Sequence, residues 1–281
     1  MTRIFDEDLK ASFGTRAIHA GQRPDLLSGA IMTPIYTTST YVQEGLGKNK
    51  GYEYARGKNP TREALERNVA ALEGGTHGFA FSSGMGATTS IMMLFKSGDH
   101  IVAGESSYGG TFRLFDKILR NFGLSFSYVD SRDPQKVEDA CTKNTAAIMM
   151  ETPTNPMMRI TDLSAVGQIA KRKKALFIVD NTFASPYFQR PFEHGADIVY
   201  HSSTKYLNGH SDMVGVSRSS GTMRSRSACS SLRTPRAQCL VPSMRGWCSA
   251  ERRRFTCACR VTTRTDGRSR LGWPRRSVTR T

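Results

Sequence analysis

From about residue 76 to 202, short apolar runs alternate with longer stretches whose apolar positions recur every three or four residues. The runs are GFAF (78–81), HIVAG (100–104), SFSYVD (125–130), AAIMME (146–151), ALFIVD (175–180) and DIVYH (197–201). Most are apolar throughout, the mark of strands covered on both faces. Between them the helical period predicts a helix beginning near Gly86. Others follow over TFRLFDKILRNFG (111–123), near PQKVEDACTK (134–143) and near DLSAVGQIAKRKK (162–174). Ahead of the first run, NPTREALERNVAALEG (59–74) carries Leu65, Val69 and Leu72 at helical spacing, with Thr61 as a plausible N-cap and Gly74-Gly75 as the stop. Residues 1–60 are loop-rich, and TPIYTTSTYVQ (33–43) is their best candidate for an extended piece.

Strand–helix alternation of this kind predicts an α/β fold, a mostly parallel sheet with helices on both faces. Sites in such sheets form beyond the carboxyl ends of the strands.

Charge changes the picture only at one end. The formal net charge of +16 suggests nucleic acid or an acidic surface as partner until it is located. Residues 1–216 hold 24 Lys and Arg against 22 Asp and Glu, whereas residues 217–281 hold 16 Arg, no Lys, and only Glu251 and Asp266. Cysteine divides the same way. Cys141 stands alone in the body, and Cys229, Cys239, Cys248, Cys257 and Cys259 crowd the tail. A body with one cysteine fits a reducing compartment. MTRIFDEDLK lacks the apolar core of a signal peptide. No stretch has the roughly 18–20 apolar residues of a membrane helix. The body is expected to be soluble and cytoplasmic, with neither membrane nor nucleic acid as partner.

Candidate chemistry gathers at the strand ends. In GFAFSSGMGATTSIMML (78–94) a strand, a Ser/Gly turn and a helix would aim the amides of Gly84, Met85 and Gly86 at an anion. Asp180 ends an apolar strand, where a carboxylate needs a cationic or donor partner. Lys205 follows DIVYHSST (197–204), where burial would favour the neutral amine that forms a Schiff base. Tyr108 sits in a loop after HIVAG and could stack on a ring. Each feature alone has a structural explanation: a steric glycine turn, a helix cap, an exposed loop lysine, a core tyrosine. An anion cradle, a buried acid and a neutralisable lysine at separate strand ends are together what pyridoxal 5'-phosphate requires. No metal site is expected.

These residues lie in motifs that resemble the Cys/Met-metabolism (trans-sulfuration) family of pyridoxal-phosphate enzymes, nearest to its cystathionine γ-lyase and γ-synthase types. The likeness runs through FGTRAIHAGQRPD, YEYARGKNPTREALE, SSGMGA, SSYGGTFRLF, ETPTNPMM, VDNTFASPYFQRP and HSSTKYLNGHSDMVGV, roughly residues 13–216. The resemblance implies a fold-type-I architecture and a small sulfur amino acid as substrate. It implies Lys205 as the Schiff-base lysine and proton shuttle, Asp180 on the pyridine nitrogen, Tyr108 on the ring and Asn155 near the ring hydroxyl. The phosphate would be held by the Gly84 and Met85 amides and the Ser202 and Thr204 hydroxyls. Tyr54 and Arg56 would reach the phosphate of a neighbouring subunit, which implies a dimer paired into a tetramer. On this reading residues 1–60 are an extended segment for intersubunit contacts, and 61–216 an incomplete cofactor-binding domain.

After Val216 the composition breaks. Arginine and serine supply 27 of the last 65 residues, and Lys, Ile, Tyr, His and Asn are absent. A basic nucleic-acid-binding tail would account for the arginine, yet it shows no repeat and few aromatic residues. A metal site would use the cysteines, yet their spacing matches no zinc pattern. An abrupt change inside an expected strand fits translation in a shifted reading frame better than either. It also predicts that the substrate-carboxylate arginine of the family's C-terminal domain is lost.

Overall fold

The computed structural model describes residues 6–220, apart from 213 and 215. After a 3-10 turn at Asp6–Lys10 comes helix α1 (Phe13–His19), which the sequence pattern did not announce. An arm follows with no strand of its own. In it TPIYTTSTYVQ makes a single isolated bridge, Thr40 to Tyr54, in place of the expected extended piece. A strand needs a paired neighbour along its length to satisfy its amides, and here the pairing stops at the Tyr41 amide on the Glu53 carbonyl and the Ala55 amide on the Ser39 carbonyl, on either side of the bridge.

Helix α2 (Pro60–Glu73) joins arm to body. Its cap is Asn59, whose side chain accepts the Arg62 amide, and Pro60 fills the first turn. Thr61, the candidate cap, lies inside the helix and instead bridges to the arm: it accepts the Tyr36 amide at 2.9 Å and donates to the Pro34 carbonyl at 3.0 Å. Pro at the first helical position favours this register, because its missing N–H is one the helix could not use. The helix stops where expected, at Gly74 with φ 77°. Leu65, Val69 and Leu72 are buried, as their spacing predicts. Arg62, also fully buried, donates to the carbonyls of Ala55 (2.8 Å), Arg56 (3.3 Å) and Gly57 (2.5 Å), fixing the loop that carries Tyr54 and Arg56.

Beyond α2 the predicted alternation holds: β1 (His77–Phe81), α3 (Gly84–Met92), β2 (His100–Gly104), α4 (Gly109–Lys117), β3 (Ser125–Val129), α5 (Pro134–Asp139), β4 (Thr145–Glu151), α6 (Leu163–Lys173), β5 (Leu176–Asp180), the short α7 (Ser185–Phe188) and β6 (Ile198–Ser202). One helix departs from expectation. The stretch 111–123 breaks after Lys117 into a 3-10 turn, Leu119–Phe122, which Gly123 closes at φ 82°.

A final strand, β7 (Val216–Ser220), runs antiparallel between β1 and β6 and completes the sheet order β1-β7-β6-β5-β4-β2-β3. Its sequence, VSRSS, carries no strand pattern of its own, although the family resemblance leads to a strand at this place. The slot between two strand edges supplies backbone partners on both sides, and those bonds form whatever the side chains. Residues 221–281, with the tail cysteines, both tryptophans and the bulk of the segment for which a shifted reading frame was expected, lie outside the described residues.

The other pairings are all parallel. Each face of the sheet carries its own core. Phe79, Phe81, Ile101, Phe126 and Ile178 pack with Ile91 of α3 and Phe115 of α4, while Val102, Ile148, Phe177 and Val179 pack with Val137 of α5 and Val166 and Ile169 of α6. Double coverage is why strands β1, β2, β4, β5 and β6 read as unbroken apolar runs.

Candidate active site

Five strands end at one cavity of about 320 Å³, lined by Ser83, Gly84, Met85, Tyr108, Glu151, Asn155, Asp180, Ser202, Thr204 and Lys205 among others. Eight of the ten sequence-predicted residues therefore converge, from the ends of β1, β2, β4, β5 and β6. The other two, Tyr54 and Arg56, lie outside it on the exposed arm, the Arg56 guanidinium 4.9 Å over the Tyr54 ring.

At the first wall α3 begins with Gly84 and Met85, whose amides belong to the turn that a helix cannot satisfy by itself. The third amide expected there, that of Gly86, is taken: it donates to the Ser83 hydroxyl at 3.1 Å, the helix cap. The cradle is two amides wide, with the positive end of the helix behind it.

Asp180 has the donors that its burial demands. The Thr182 amide reaches its Oδ1 at 3.0 Å, and the Thr182 hydroxyl donates to the same oxygen. Tyr200, buried on the next strand, also hydrogen-bonds it. Thr182 is doubly employed, since its Oγ1 accepts the Ser202 amide at 2.8 Å and so ties the β5 end to the β6 end. Burial raises the Asp180 carboxyl above its ordinary range, opposed by the Thr182 hydrogen bonds. Burial also drives the Tyr200 phenol far upward, with Asp180 adding to it, so that phenol is a donor at any physiological pH.

Next to Asp180 in the parallel register stands Glu151. Its Oε2 accepts the Tyr108 amide at 2.7 Å and its Oε1 the Asn155 amide at 3.0 Å. One carboxyl thereby holds the two loops that carry Tyr108 and Asn155. Burial, then the neighbouring Asp180, pushes it up to about 7. The sequence reading passed over Glu151, although it closes AAIMME just as Asp180 closes ALFIVD. An acid ending an apolar strand was the available signal. Thr182 and Tyr200 gave no such signal; their roles arise from pairing across strands.

Lys205 departs from expectation in one respect. It lies in the turn after β6, its amide bonded to the Ser202 carbonyl at 3.3 Å, and it is exposed at the rim of the cavity, not buried. The burial expected for it is not supplied by the described residues.

The family model described as Cys/Met metabolism PLP-dependent enzyme matches residues 14–232. The chain belongs to that family. It is 55% identical over 207 residues to a cystathionine beta-lyase of Coxiella burnetii and 54% identical over 201 residues to a cystathionine gamma-lyase of Bacillus subtilis. To a probable cystathionine gamma-synthase of Herpetosiphon aurantiacus it is 52% identical over 203 residues. These matches cover 73%, 72% and 72% of this chain but 54%, 53% and 64% of those proteins, so the chain spans little more than half the length of its curated relatives. Among solved structures it resembles cystathionine gamma-lyase from Lactobacillus plantarum complexed with L-serine, with a TM-score of 0.85 and 42% identity over 90% of this chain and 68% of that one. It also resembles metB from Corynebacterium glutamicum, with a TM-score of 0.87 and 38% identity over 96% of this chain and 72% of that one. The fold-type-I architecture of this family is the one described above.

The cavity suits the family's cofactor, pyridoxal phosphate. It offers amides at a helix start for a phosphate, a buried acid at one strand end, an aromatic ring at another and an amine at the rim. Among the described residues no helix is long and apolar enough to cross a membrane.

Proposed function

We propose that the chain carries the cofactor half of a pyridoxal-phosphate-dependent carbon–sulfur lyase of cystathionine metabolism, of the γ-eliminating type. The relatives divide among β-lyase, γ-lyase and γ-synthase, so γ-replacement on an activated homoserine ester is the second reading. One observation carries the proposal: Lys205, Asp180, Tyr108 and the Gly84–Met85 amides, from four separate strand ends, face one cavity.

When bound, pyridoxal phosphate supplies an aldehyde that captures amino groups and a ring that withdraws electrons from the α-carbon. The Lys205 Nζ would be the amine that holds its aldehyde, and the same amine would serve as the base that takes the α-proton and returns it further along the substrate. Asp180, held by Thr182 and Tyr200, keeps a proton on the ring nitrogen. Tyr108 stacks on the ring, Asn155 faces its hydroxyl, and the Gly84 and Met85 amides with the Ser202 and Thr204 hydroxyls bind the phosphate. Tyr54 and Arg56 serve the site of a second copy in a dimer that pairs into a tetramer. Their exposed position outside their own cavity supports this, as does the row of exposed apolar residues on the arm, among them Leu26, Leu27, Val42 and Leu46. The cytoplasm is the proposed compartment, and the shifted frame after Val216 the proposed origin of the tail.

Incubating the chain with pyridoxal phosphate, reducing with borohydride and mapping peptides by mass tests the reading. A pyridoxyl adduct confined to Lys205 is the expected result; labelling spread over other lysines would refute it. Release of ammonia and a keto acid from cystathionine, against replacement with cysteine, then separates the two reactions.

A further inference from the structure

One layer behind the cavity lies a buried polar cluster that the proposed chemistry does not use. Glu73, the last residue of α2, is 1% exposed, and His201 and Asn181 are fully buried. The His201 Nε2–H donates to Glu73 Oε1, and the Asn181 side-chain amide donates to the same oxygen at 2.8 Å. Asn181 also donates to the Gln189 carbonyl at 2.8 Å and accepts from Gln189 Nε2 at 2.9 Å; Gln189 Nε2 in turn reaches the Thr152 carbonyl at 3.1 Å. Asn181 follows Asp180, His201 precedes Ser202, and Thr152 opens the loop to Asn155. A carboxyl from a distant helix thus gathers the ends of β4, β5 and β6, the three strands whose ends carry Asn155, Asp180, Ser202, Thr204 and Lys205.

The cluster is costly. Glu73 Oε2 and His201 Nδ1 are buried with no hydrogen-bond partner among the described residues, and an unmatched buried polar atom costs about 1–3 kcal/mol. Apolar residues would fill this layer at less cost, as replacements of buried ion pairs show. What they would not do is hold three separate loops in one relative position by directed bonds.

We propose that Glu73 is a positioning residue of the cofactor site. It acts through Asn181 and His201 to set the ring-binding acid against the phosphate-binding hydroxyls. It does not line the cavity and touches no reacting atom. The inference rests on reading the cavity as the pyridoxal-phosphate site.

The test uses the whole chain and two readouts besides activity: the dissociation constant for pyridoxal phosphate, and the circular dichroism of the bound cofactor's visible band, which follows the tilt of the ring. Glu73→Gln keeps the shape and weakens the charge-assisted bonds; Asn181→Ala cuts the link to Gln189 and Thr152. Each is expected to weaken binding roughly tenfold to a hundredfold, by analogy with the loss when the outer support of a metal ligand is removed, and to change the dichroic band. The double variant should be no worse than the worse single one, because both cut the same path. If both substitutions lower only the melting temperature, with the dissociation constant and the band as in the unsubstituted chain, the residues are merely structural and the proposal is overturned. Independent, multiplying losses would overturn it as well. Should Asn181→Ala fail to fold, the near-isosteric Glu73→Gln decides alone. An unsubstituted chain that takes up no cofactor would overturn the parent reading, an outcome distinct from cofactor uptake that ignores Glu73.

Discussion

The arm and the body treat the same kind of side chain in opposite ways. In the body Phe177 and Ile178 are wholly buried between the sheet and its helices; in the arm Leu27 is 96% exposed, with Leu26 and Leu46 much the same. Single exposed apolar residues need no explanation, but a row of them on one segment marks a surface meant to be covered. The body satisfies itself. The arm is held by Asn59, Thr61 and Arg62 at its root and leaves its apolar side chains to something outside this fold.

The largest effect that would sharpen this contrast lies in the body. Phe177→Ala removes a fully buried ring from a packed layer and should cost about 3–5 kcal/mol, the range for such truncations. Urea unfolding of the cofactor-free chain measures it. A loss under about 1 kcal/mol would mean that the sheet is not packed on both faces and that body and arm do not differ as described.

Next in size is a dependence on pH at the body's own polar centre. In the folded chain Glu151 holds its proton up to about pH 7, against 4.5 ordinarily. Between those values the folded state binds more protons than the unfolded one, so stability should fall as pH rises, by at most about 3 kcal/mol. Asp180, raised for the same reason, acts in the same direction. Melting temperatures of the cofactor-free chain across pH 4.5–7 read the slope, and Glu151→Gln should flatten it. A slope that survives Glu151→Gln unchanged would assign the titration to other groups.

These two regions were not equally legible. The helices and the apolar strands of the body followed from periodicity because burial on two faces imposes an unbroken apolar run. Glu151 carries the same legible signal as Asp180, an acid that closes an apolar strand. The cap at Asn59, the amide of Gly86 and the link from Thr182 to Ser202 were not readable, since each depends on which of several local donors wins in three dimensions. The neighbours β6 and β7 show the limit most clearly. IVYHS declares itself as a strand, whereas VSRSS is a strand only because two edges lie on either side of it. Glu73 lies 108 residues from Asn181 and 128 from His201, and nothing in a linear pattern joins them.

The smallest effect on the chain's own stability decides what the arm is for. Leu27→Ser and Leu46→Ser alter side chains that touch little within the chain, so unfolding of the isolated protomer should shift by no more than about 0.5 kcal/mol. If the arm packs on a second copy, the same substitutions remove apolar area from that contact, where a leucine is worth about 2 kcal/mol. Each should then raise the dimer's dissociation constant roughly thirtyfold, and more where two-fold symmetry repeats the loss. Sedimentation at several protein concentrations reads this directly. Association that is indifferent to both leucines would leave the arm's exposed side chains without a role in assembly, and would remove the support they lend to placing Tyr54 and Arg56 at a neighbour's phosphate.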